Sequence, residues 1–255
     1  MTELEPLARS LRAAAAATRN VVAADGFTLF LAPDGAQPHL SLAVPDAVPA
    51  CGWAAALAAL PAAFAAHGRT ARIEAFAELV PDLLVAADAA GWRRAMTAPV
   101  MVLERTELVP AVPCPGSHRE LEGVDRGALE AALRGAHVAF GGTADGAEAL
   151  AWRDQAKRGL RKGAVRIGVV ELDGEPRAGA TLQLGGDAAE LVGVWAHPEW
   201  RRLGLARQAC HALLVAAFAD GVALAWLSAA DGALRLYQTL GFRRVGTQVN
   251  LEPPP

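Results

Sequence analysis

The sequence predicts an α/β fold of the α+β type in which one arrangement of strands and helices occurs twice. In the C-terminal half, short strands rich in branched residues alternate with amphipathic helical stretches. A similar order of segments occurs about 150 residues earlier in the chain, which is typical of an internal repeat. At 255 residues the chain suits one large domain or two small ones.

Composition argues against several classes of protein. Hydrophobic residues make up 53% of the chain, but many are alanines. Pro61 interrupts the apolar window Ala47–Ala66, and Asp220-Gly221 interrupts His211–Ala230, so neither window predicts a membrane span. A net charge of −3 does not favour binding to nucleic acid.

The cysteines and the N-terminus indicate a cytoplasmic protein. Cys51, Cys114 and Cys210 have neither metal-site spacing nor a disulfide framework, which suits a reducing compartment and a protein without a metal. The acidic start MTELEP contains no secretory signal.

The C-terminal half begins with three strands. Val165–Leu172 and Arg177–Leu184 flank the turn Asp173-Gly174 and predict a hairpin. Glu190–Ala196 is a third apolar strand, which Pro198 ends.

Two helices and two further strands follow. Arg201–Ala219 has the spacing of a helix with one buried face. Val222–Ser228 is almost continuously apolar and predicts a buried strand. A short helix then ends at Gly241, and Phe242–Leu251 is the last strand.

The stretch Glu190–Ala206 predicts a phosphate-binding turn. A strand is followed by a proline, a basic turn with a glycine, and the start of a helix. The first turn of a helix has free N–H groups and a partial positive charge, so it favours an anion. Small residues at Gly204 and Ala206 let a ligand approach the backbone closely.

These residues resemble the signatures of the GNAT superfamily of N-acetyltransferases. The cofactor signature Gln/Arg-x-x-Gly-x-Gly/Ala corresponds to Arg201–Ala206. A downstream alanine, Leu-Tyr and Gly-Phe correspond to Ala233, Leu236-Tyr237 and Gly241-Phe242. The resemblance covers about residues 136–251 and implies a mixed, mostly antiparallel sheet flanked by helices, with strands splayed at the cofactor site.

The resemblance also implies that acetyl-CoA is the cosubstrate, and it indicates which residues contact it. The splayed strand would bind pantetheine through its backbone, and the helix start would bind the pyrophosphate. Arg202 could add a side-chain contact, Arg201 could instead lie over the strand, and Trp195 could shape the acceptor pocket or simply pack. The expected cofactor-binding residues are Val194, Trp195, Ala196, Arg201, Arg202, Leu203, Gly204, Leu205, Ala206, Arg207, Ala233 and Tyr237.

Tyr237 and Glu190 are the candidate catalytic residues. Tyr237 is the only tyrosine and stands where the family places a general acid; a packing role is the alternative. Full proton transfer from a phenol to a thiolate is uphill by about 2 kcal/mol in water, so hydrogen bonding is the simpler role. Glu190 lies where histone acetyltransferases of the superfamily carry a base, although it could equally be a surface charge. His197 and His211 are weaker candidates without an evident partner.

The sequence predicts a degenerate GNAT-like copy over residues 1–112 and the acetyltransferase domain over residues 113–255. The copy contains a strand at His39–Pro45, a helix ending near Gly68, a strand near Ala71–Phe76 and a helix opened by Pro81. The basic phosphate-binding turn of the second half (the cradle, Arg201–Ala206) has no counterpart after Pro45, and Ala87 stands at the tyrosine position. This copy could complete the sheet, cover the acceptor site or form a homodimer, and Pro110–Ser117 is the expected linker.

Two functions remain open. The chain could transfer an acetyl group from acetyl-CoA to a primary amine by direct attack, with a small molecule or a peptide as the acceptor. Alternatively, it could be a catalytically silent acyl-CoA-binding or interaction protein. Retention of Tyr237 in a tyrosine-poor chain favours the enzyme.

Overall fold

The computed structural model describes residues 2–33, 40–122, 126–142, 147–229 and 231–254. His39, with which the predicted strand of the first half begins, lies outside the described residues. Across the described ranges, every helix is too short or too polar to cross a lipid bilayer.

The described residues of the first half form three α-helices and five strands. Their bounds are α1 (Leu4–Thr18), β1 (Asn20–Ala24), β2 (Phe27–Leu31), β3 (Leu42–Pro45), α2 (Gly52–Ala65), β4 (Ile73–Phe76), α3 (Pro81–Ala89) and β5 (Arg93–Glu104).

In the part of the second half that the structure describes there are four α-helices and six strands. Their bounds are β6 (Ser117–Leu121), α4 (Arg126–Ala139), α5 (Ala147–Arg161), β7 (Val165–Leu172), β8 (Glu175–Gly185), β9 (Ala188–Ala196), α6 (Leu205–Ala219), β10 (Leu224–Ser228), α7 (Leu234–Gln238) and β11 (Arg243–Glu252).

The fold is mixed α/β, with a large and mostly antiparallel sheet flanked by helices. The eleven strands of the described residues form one sheet in the order β1-β2-β3-β4-β11-β5-β10-β9-β8-β7-β6. Only β3 with β4 and β9 with β10 pair in parallel. The predicted fold class is confirmed.

The two halves exchange their last strands in the middle of this sheet. β5 of the first half pairs with β10, β11 of the second half pairs with β4, and β5 and β11 pair with each other. The predicted boundary at residues 112 and 113 falls in the connection between β5 and β6. Because central strands are hydrogen-bonded along both edges, neither half can leave the sheet without breaking these ladders.

Separate cores lie on the two faces of the sheet. On the second half, α6 packs through Leu213 and Leu214 against β8 and β9, including Leu182 and Leu191. On the opposite face, α1 packs against the sheet centre through residues such as Leu7 and Leu11, near Trp226. The indole N–H of Trp226 donates to Ser10 Oγ of α1 over 3.2 Å, so the first helix is fixed onto a strand of the second half.

Several predicted elements match the structure, and one begins later than predicted. The strand Val165–Leu172 has the predicted bounds, and the turn after it has positive φ at Asp173 and Gly174. The helix predicted from Arg201 begins instead at Leu205. Arg202 and Gly204 have φ of 66° and 81°, and this left-handed backbone cannot continue a right-handed helix.

Candidate active site

The strand β9 leaves its parallel partner a third of the way along its length. It pairs with β10 only through Ala188–Glu190, opposite Leu224–Trp226. On its other edge it stays paired with β8 up to Ala196, with an irregularity around Gly193, whose φ is 57°. A bulge of this kind bends a strand, so β9 diverges from β10 beyond Glu190. The predicted splay is confirmed.

A cavity of about 570 Å³ fills the space beside the diverging strand. It brings together the end of β9, the turn before α6 and the start of α7. Its lining includes all the predicted cofactor contacts except Leu203: Val194, Trp195, Ala196, Arg201, Arg202, Gly204, Leu205, Ala206, Arg207, Ala233 and Tyr237. Leu203 is an exposed side chain off this surface.

The start of α6 offers unpaired backbone donors to this cavity. The first hydrogen bond of the helix runs from the Gln208 N–H to Gly204 O over 3.0 Å. The N–H groups of Leu205, Ala206 and Arg207 therefore have no acceptor within the helix. Three convergent donors at the positive end of a helix dipole form an anion-binding surface. The residues present fit a pyrophosphate.

The side chains differ in their contacts among the two arginines of the signature and the neighbouring Arg207. Arg201 folds back, donating to Ala196 O and Ala139 O over 3.4 Å each. Arg207 donates to Pro110 O and Thr239 O over 3.1 and 3.0 Å, which ties two loops to the helix start. Arg202 is exposed and forms no hydrogen bond or ion pair with the described residues. Its guanidinium is therefore the one best placed to contact a phosphate.

Trp195 serves the packing of a neighbouring helix as well as the cavity. Its indole is buried with Leu129 and Leu133 of α4. A Cβ atom at Gly135 would lie 2.9 Å from the ring, so glycine there lets α4 approach it. Trp195 therefore packs in the core and also lines this cavity, while its role in shaping the acceptor pocket stays a prediction.

Tyr237 lines the cavity from α7 and is buried. Its ring makes an edge contact with Phe242, with 6.0 Å between centroids. Burial, and to a lesser degree the nearby Cys210, raises the pKa of Tyr237 above its ordinary value. The phenol therefore keeps its proton at neutral pH and can donate a hydrogen bond into the cavity.

Glu190 does not line this cavity, and it is not a surface charge. It is the last residue of β9 that pairs with β10, and its side chain is 9% exposed. Burial raises the pKa of Glu190 to about 8; the Glu74 carboxylate also raises it, and the Arg19 guanidinium lowers it. Both neighbours come from the first half, so the first half contributes to the titration of this carboxyl, although burial has the largest effect.

Glu74 is part of a polar group at the junction of the two halves. Burial raises its pKa, while Arg72, Arg19 and a hydrogen bond from Gln248 act in the opposite direction. Ser228 of β10 donates to the other end of the Gln248 amide. Through Gln248 of β11, this network links Glu74 of β4 to Ser228 of β10.

The two histidines lie away from the cavity. His197 lines a separate groove beside α4, and His211 lies on α6, where burial and Arg207 lower its pKa. Among the described residues there is no group of three side chains able to hold a metal ion.

Some cavity residues were not predicted from the sequence. Ala139 and Phe140 at the end of α4, Trp200, Gly232 and Leu236 also line the cavity. Phe140 is 60% exposed. Its signal in the sequence is weak, because α4 meets the cavity only through tertiary packing.

A family model and several solved structures are similar to this chain. Residues 132–242 match the acetyltransferase (GNAT) family model. A GCN5-related N-acetyltransferase from Kribbella flavida is similar at a TM-score of 0.80 with 24% identity, covering 100% of this chain and 97% of that one. No curated protein matches the chain.

Two further solved structures share the fold. A tandem GNAT protein from the clavulanic acid biosynthesis pathway has a TM-score of 0.57 and 20% identity, over 90% of this chain and 79% of that one. A putative acetyltransferase from Novosphingobium aromaticivorans has the same score and identity, over 98% of this chain and 97% of that one. At these identities the likeness concerns the fold of the whole chain, including the first half.

Proposed function

Because residues 132–242 belong to the GNAT acetyltransferase family, we propose that the chain transfers an acetyl group from acetyl-CoA to a primary amine. The amine attacks directly while both substrates are bound. The observation that carries this proposal is the cavity of about 570 Å³, which joins the backbone donors of α6, the free edge of β9 and the hydroxyl-bearing ring of Tyr237.

Each part of the cavity has a role in holding the cosubstrate. The N–H groups of Leu205–Arg207 would bind the pyrophosphate, and each hydrogen bond to a charged phosphate contributes about 1.5–3 kcal/mol. The unpaired backbone of Val194–Ala196 would bind the pantetheine amides as an added strand. Acetyl-CoA supplies an acetyl thioester, whose carbonyl carbon is the electrophile.

Glu190 would take the proton from the attacking amine. An ordinary alkylammonium has a pKa near 10.4, so a base is needed at neutral pH. A carboxyl whose pKa is about 8 is a far better proton acceptor than an ordinary glutamate, because it is poised near the working pH. It lies on the opposite face of the sheet from Tyr237, beside the point where β9 and β10 separate.

Tyr237 would stabilise the departing thiolate by donating a hydrogen bond. Its raised pKa makes complete proton transfer to a thiolate less favourable than it is in water. The same burial strengthens the hydrogen bond, since water does not compete for the hydroxyl.

Thiol release with a panel of primary amines tests the activity. The wild type should release CoA above the blank rate, and Tyr237→Phe should lower kcat by about 10- to 100-fold, the value of one hydrogen bond to a charged group. Acetyl-CoA should still raise the Tm of Tyr237→Phe as it does that of the wild type.

The alternative function makes the opposite forecast. A silent acyl-CoA-binding protein would show the Tm increase but no amine-dependent thiol release, with no difference between the wild type and Tyr237→Phe. That result would contradict the enzyme and favour the binding protein.

A further inference from the structure

A second cavity, of about 230 Å³, lies between the two halves. Thr18 and Arg19, at the end of α1 and just beyond it, form one wall. Gln155 of α5 and Gln183 of β8 form the opposite side. A space of this volume accommodates a small molecule, whereas a folded peptide segment needs an open groove.

This cavity adjoins the cofactor cavity along a single strand. Val192 and Gly193 of β9 line the second cavity, and the next three residues, Val194–Ala196, line the first. Gln183 is the direct cross-strand partner of Glu190, so their side chains project from the same face of the sheet. The second cavity therefore lies on the Glu190 face and reaches the bulge at which β9 leaves β10.

The polar groups of this cavity have unused hydrogen-bonding capacity. Arg19 donates from Nε to Leu40 O over 2.7 Å, and its terminal nitrogens make no hydrogen bond to the described residues. The Oε1 atom of Gln155 is buried and has no donor. An unpaired buried acceptor destabilises the protein, so a ligand N–H at this position would remove that penalty.

The charges around Arg19 select for a ligand of mixed charge. Arg19 interacts electrostatically with the carboxyl groups of Glu74 and Glu190. A simple amine would leave the guanidinium without an anion, and a ligand with two negative charges would face both carboxyl groups. A zwitterion satisfies both signs, since its carboxylate binds the guanidinium fork while its ammonium lies toward the side of Glu74 and Glu190, two carboxyl groups that act on Arg19 but do not line the cavity.

We propose that this second cavity is the acceptor site and that the acceptor is a small primary amine that also carries a carboxylate. The carboxylate binds the terminal nitrogens of Arg19, and the amine lies toward Gly193 and Glu190, next to the cofactor cavity. This assignment rests on the proposed acetyl transfer and makes the first half a contributor of substrate specificity.

Three amino acids of increasing length, and their carboxamides, test the proposal. Glycine, β-alanine and 4-aminobutyrate are each compared with the corresponding carboxamide, at saturating acetyl-CoA, by thiol release. At least one amino acid should exceed its carboxamide in kcat/KM by about 10- to 100-fold, as expected for hydrogen bonds to a charged group. Ligand-observed NMR with CoA present should show binding of the same amino acid.

Variants of Arg19 locate the preference. Arg19→Gln should abolish it, mainly by raising KM for the amino acid, and Arg19→Lys should keep part of it, because a lysine retains the charge but not the fork. Arg9→Gln, at an exposed arginine of the same helix, is the matched control and should keep the full preference.

The outcomes separate this proposal from the proposed function. Carboxamides used as well as the amino acids, or a preference that survives Arg19→Gln, would overturn the carboxylate assignment. So would the absence of binding by all six compounds while acetyl-CoA still raises the Tm. Failure of acetyl-CoA to raise the Tm of the wild type would instead contradict the proposed function.

Discussion

The two halves of the chain place the same elements in the same order, but within the described residues the surface that we propose binds the cofactor is built in only one of them. In each half a strand is followed by a helix, a second strand, a short helix and the exchanged last strand: β3, α2, β4, α3, β5 and β9, α6, β10, α7, β11. The difference lies in the length of the first strand and in the turn after it. Shared topology therefore carries the fold, and local sequence decides the chemistry.

Equivalent positions in the two halves can be identified from matching backbone hydrogen bonds. The Trp92 N–H donates to Ala87 O over 2.9 Å, and the Phe242 N–H donates to Tyr237 O over 3.1 Å. Each aromatic residue follows a glycine with positive φ and is buried. Ala87 therefore occupies the tyrosine position of the first half, as predicted, and this half has no hydroxyl there.

The turns before the two long helices also differ. β3 has four residues and leads to α2 through residues 46–51, which contain no arginine. β9 has nine residues, a bulge, and a turn with two left-handed residues that exposes the start of α6 to the cavity. In our proposal the first half therefore serves as a scaffold, and it also brings Arg19 and Glu74 close to Glu190.

The largest effect is expected from a charged residue in the cradle. Gly204→Glu puts a carboxylate among the donors of α6, so acetyl-CoA should no longer raise the Tm. In the wild type, a ligand at 100 times its Kd adds about 2.7 kcal/mol of stability, or very roughly 5–10 °C for a chain of this size. The measurement is a thermal shift titration.

The first half offers the matched control. Gly52 stands at the start of α2 and has φ of 79°, close to the 81° of Gly204, so a glutamate there imposes similar backbone strain. Gly52→Glu should keep the full acetyl-CoA effect. Loss of the effect in both variants, or in neither, would break the assignment of the cradle to the second half.

A large effect on rate is expected from the buried carboxyl of the second half. Glu190→Gln should lower kcat/KM by about 10²- to 10⁴-fold, the usual contribution of a general base. With an acceptor amine whose pKa is well below 7, the wild-type rate should rise with pH toward a plateau above about 8, and the variant should lack this rise. A variant with the same pH profile as the wild type would exclude Glu190 as the base.

The same variant should be more stable than the wild type at alkaline pH. The pKa of Glu190 is raised in the folded protein, so the unfolded chain loses this proton first and stability falls as pH rises from about 4.5 to about 8. Glu190→Gln removes that loss, and its gain in Tm should grow between pH 5 and pH 9. An equal gain at both pH values would contradict the buried titration.

A smaller effect is expected from the first half. The Glu74 carboxylate raises the pKa of Glu190, so Glu74→Gln should lower this pKa and move the rise in rate to lower pH. The Arg19 guanidinium, which lowers the pKa of Glu190, remains in the variant. The pH profile of kcat/KM measures this shift. Glu78→Gln, at an exposed glutamate just after β4, is the control and should leave the profile unchanged.

Sequence patterns predicted those parts of the molecule that depend on local chemistry. The hairpin around Asp173-Gly174 follows from residues that adopt positive φ, and the cradle follows from Arg201–Ala206. The exchange of β5 and β11 could not be predicted, because the apolar pattern of a strand does not show which half of the sheet it joins. The partners of Glu190 were also missed, because Arg19 and Glu74 approach it only through tertiary packing.

The central claim is that a chain with two similar halves has one cofactor site, in the second half. The direct measurement is the number of acetyl-CoA molecules bound per chain, by isothermal titration calorimetry with native mass spectrometry of the same samples. We expect one molecule per chain, none in Gly204→Glu and one in Gly52→Glu. Two molecules bound to the wild type, or one retained by Gly204→Glu, would contradict the account.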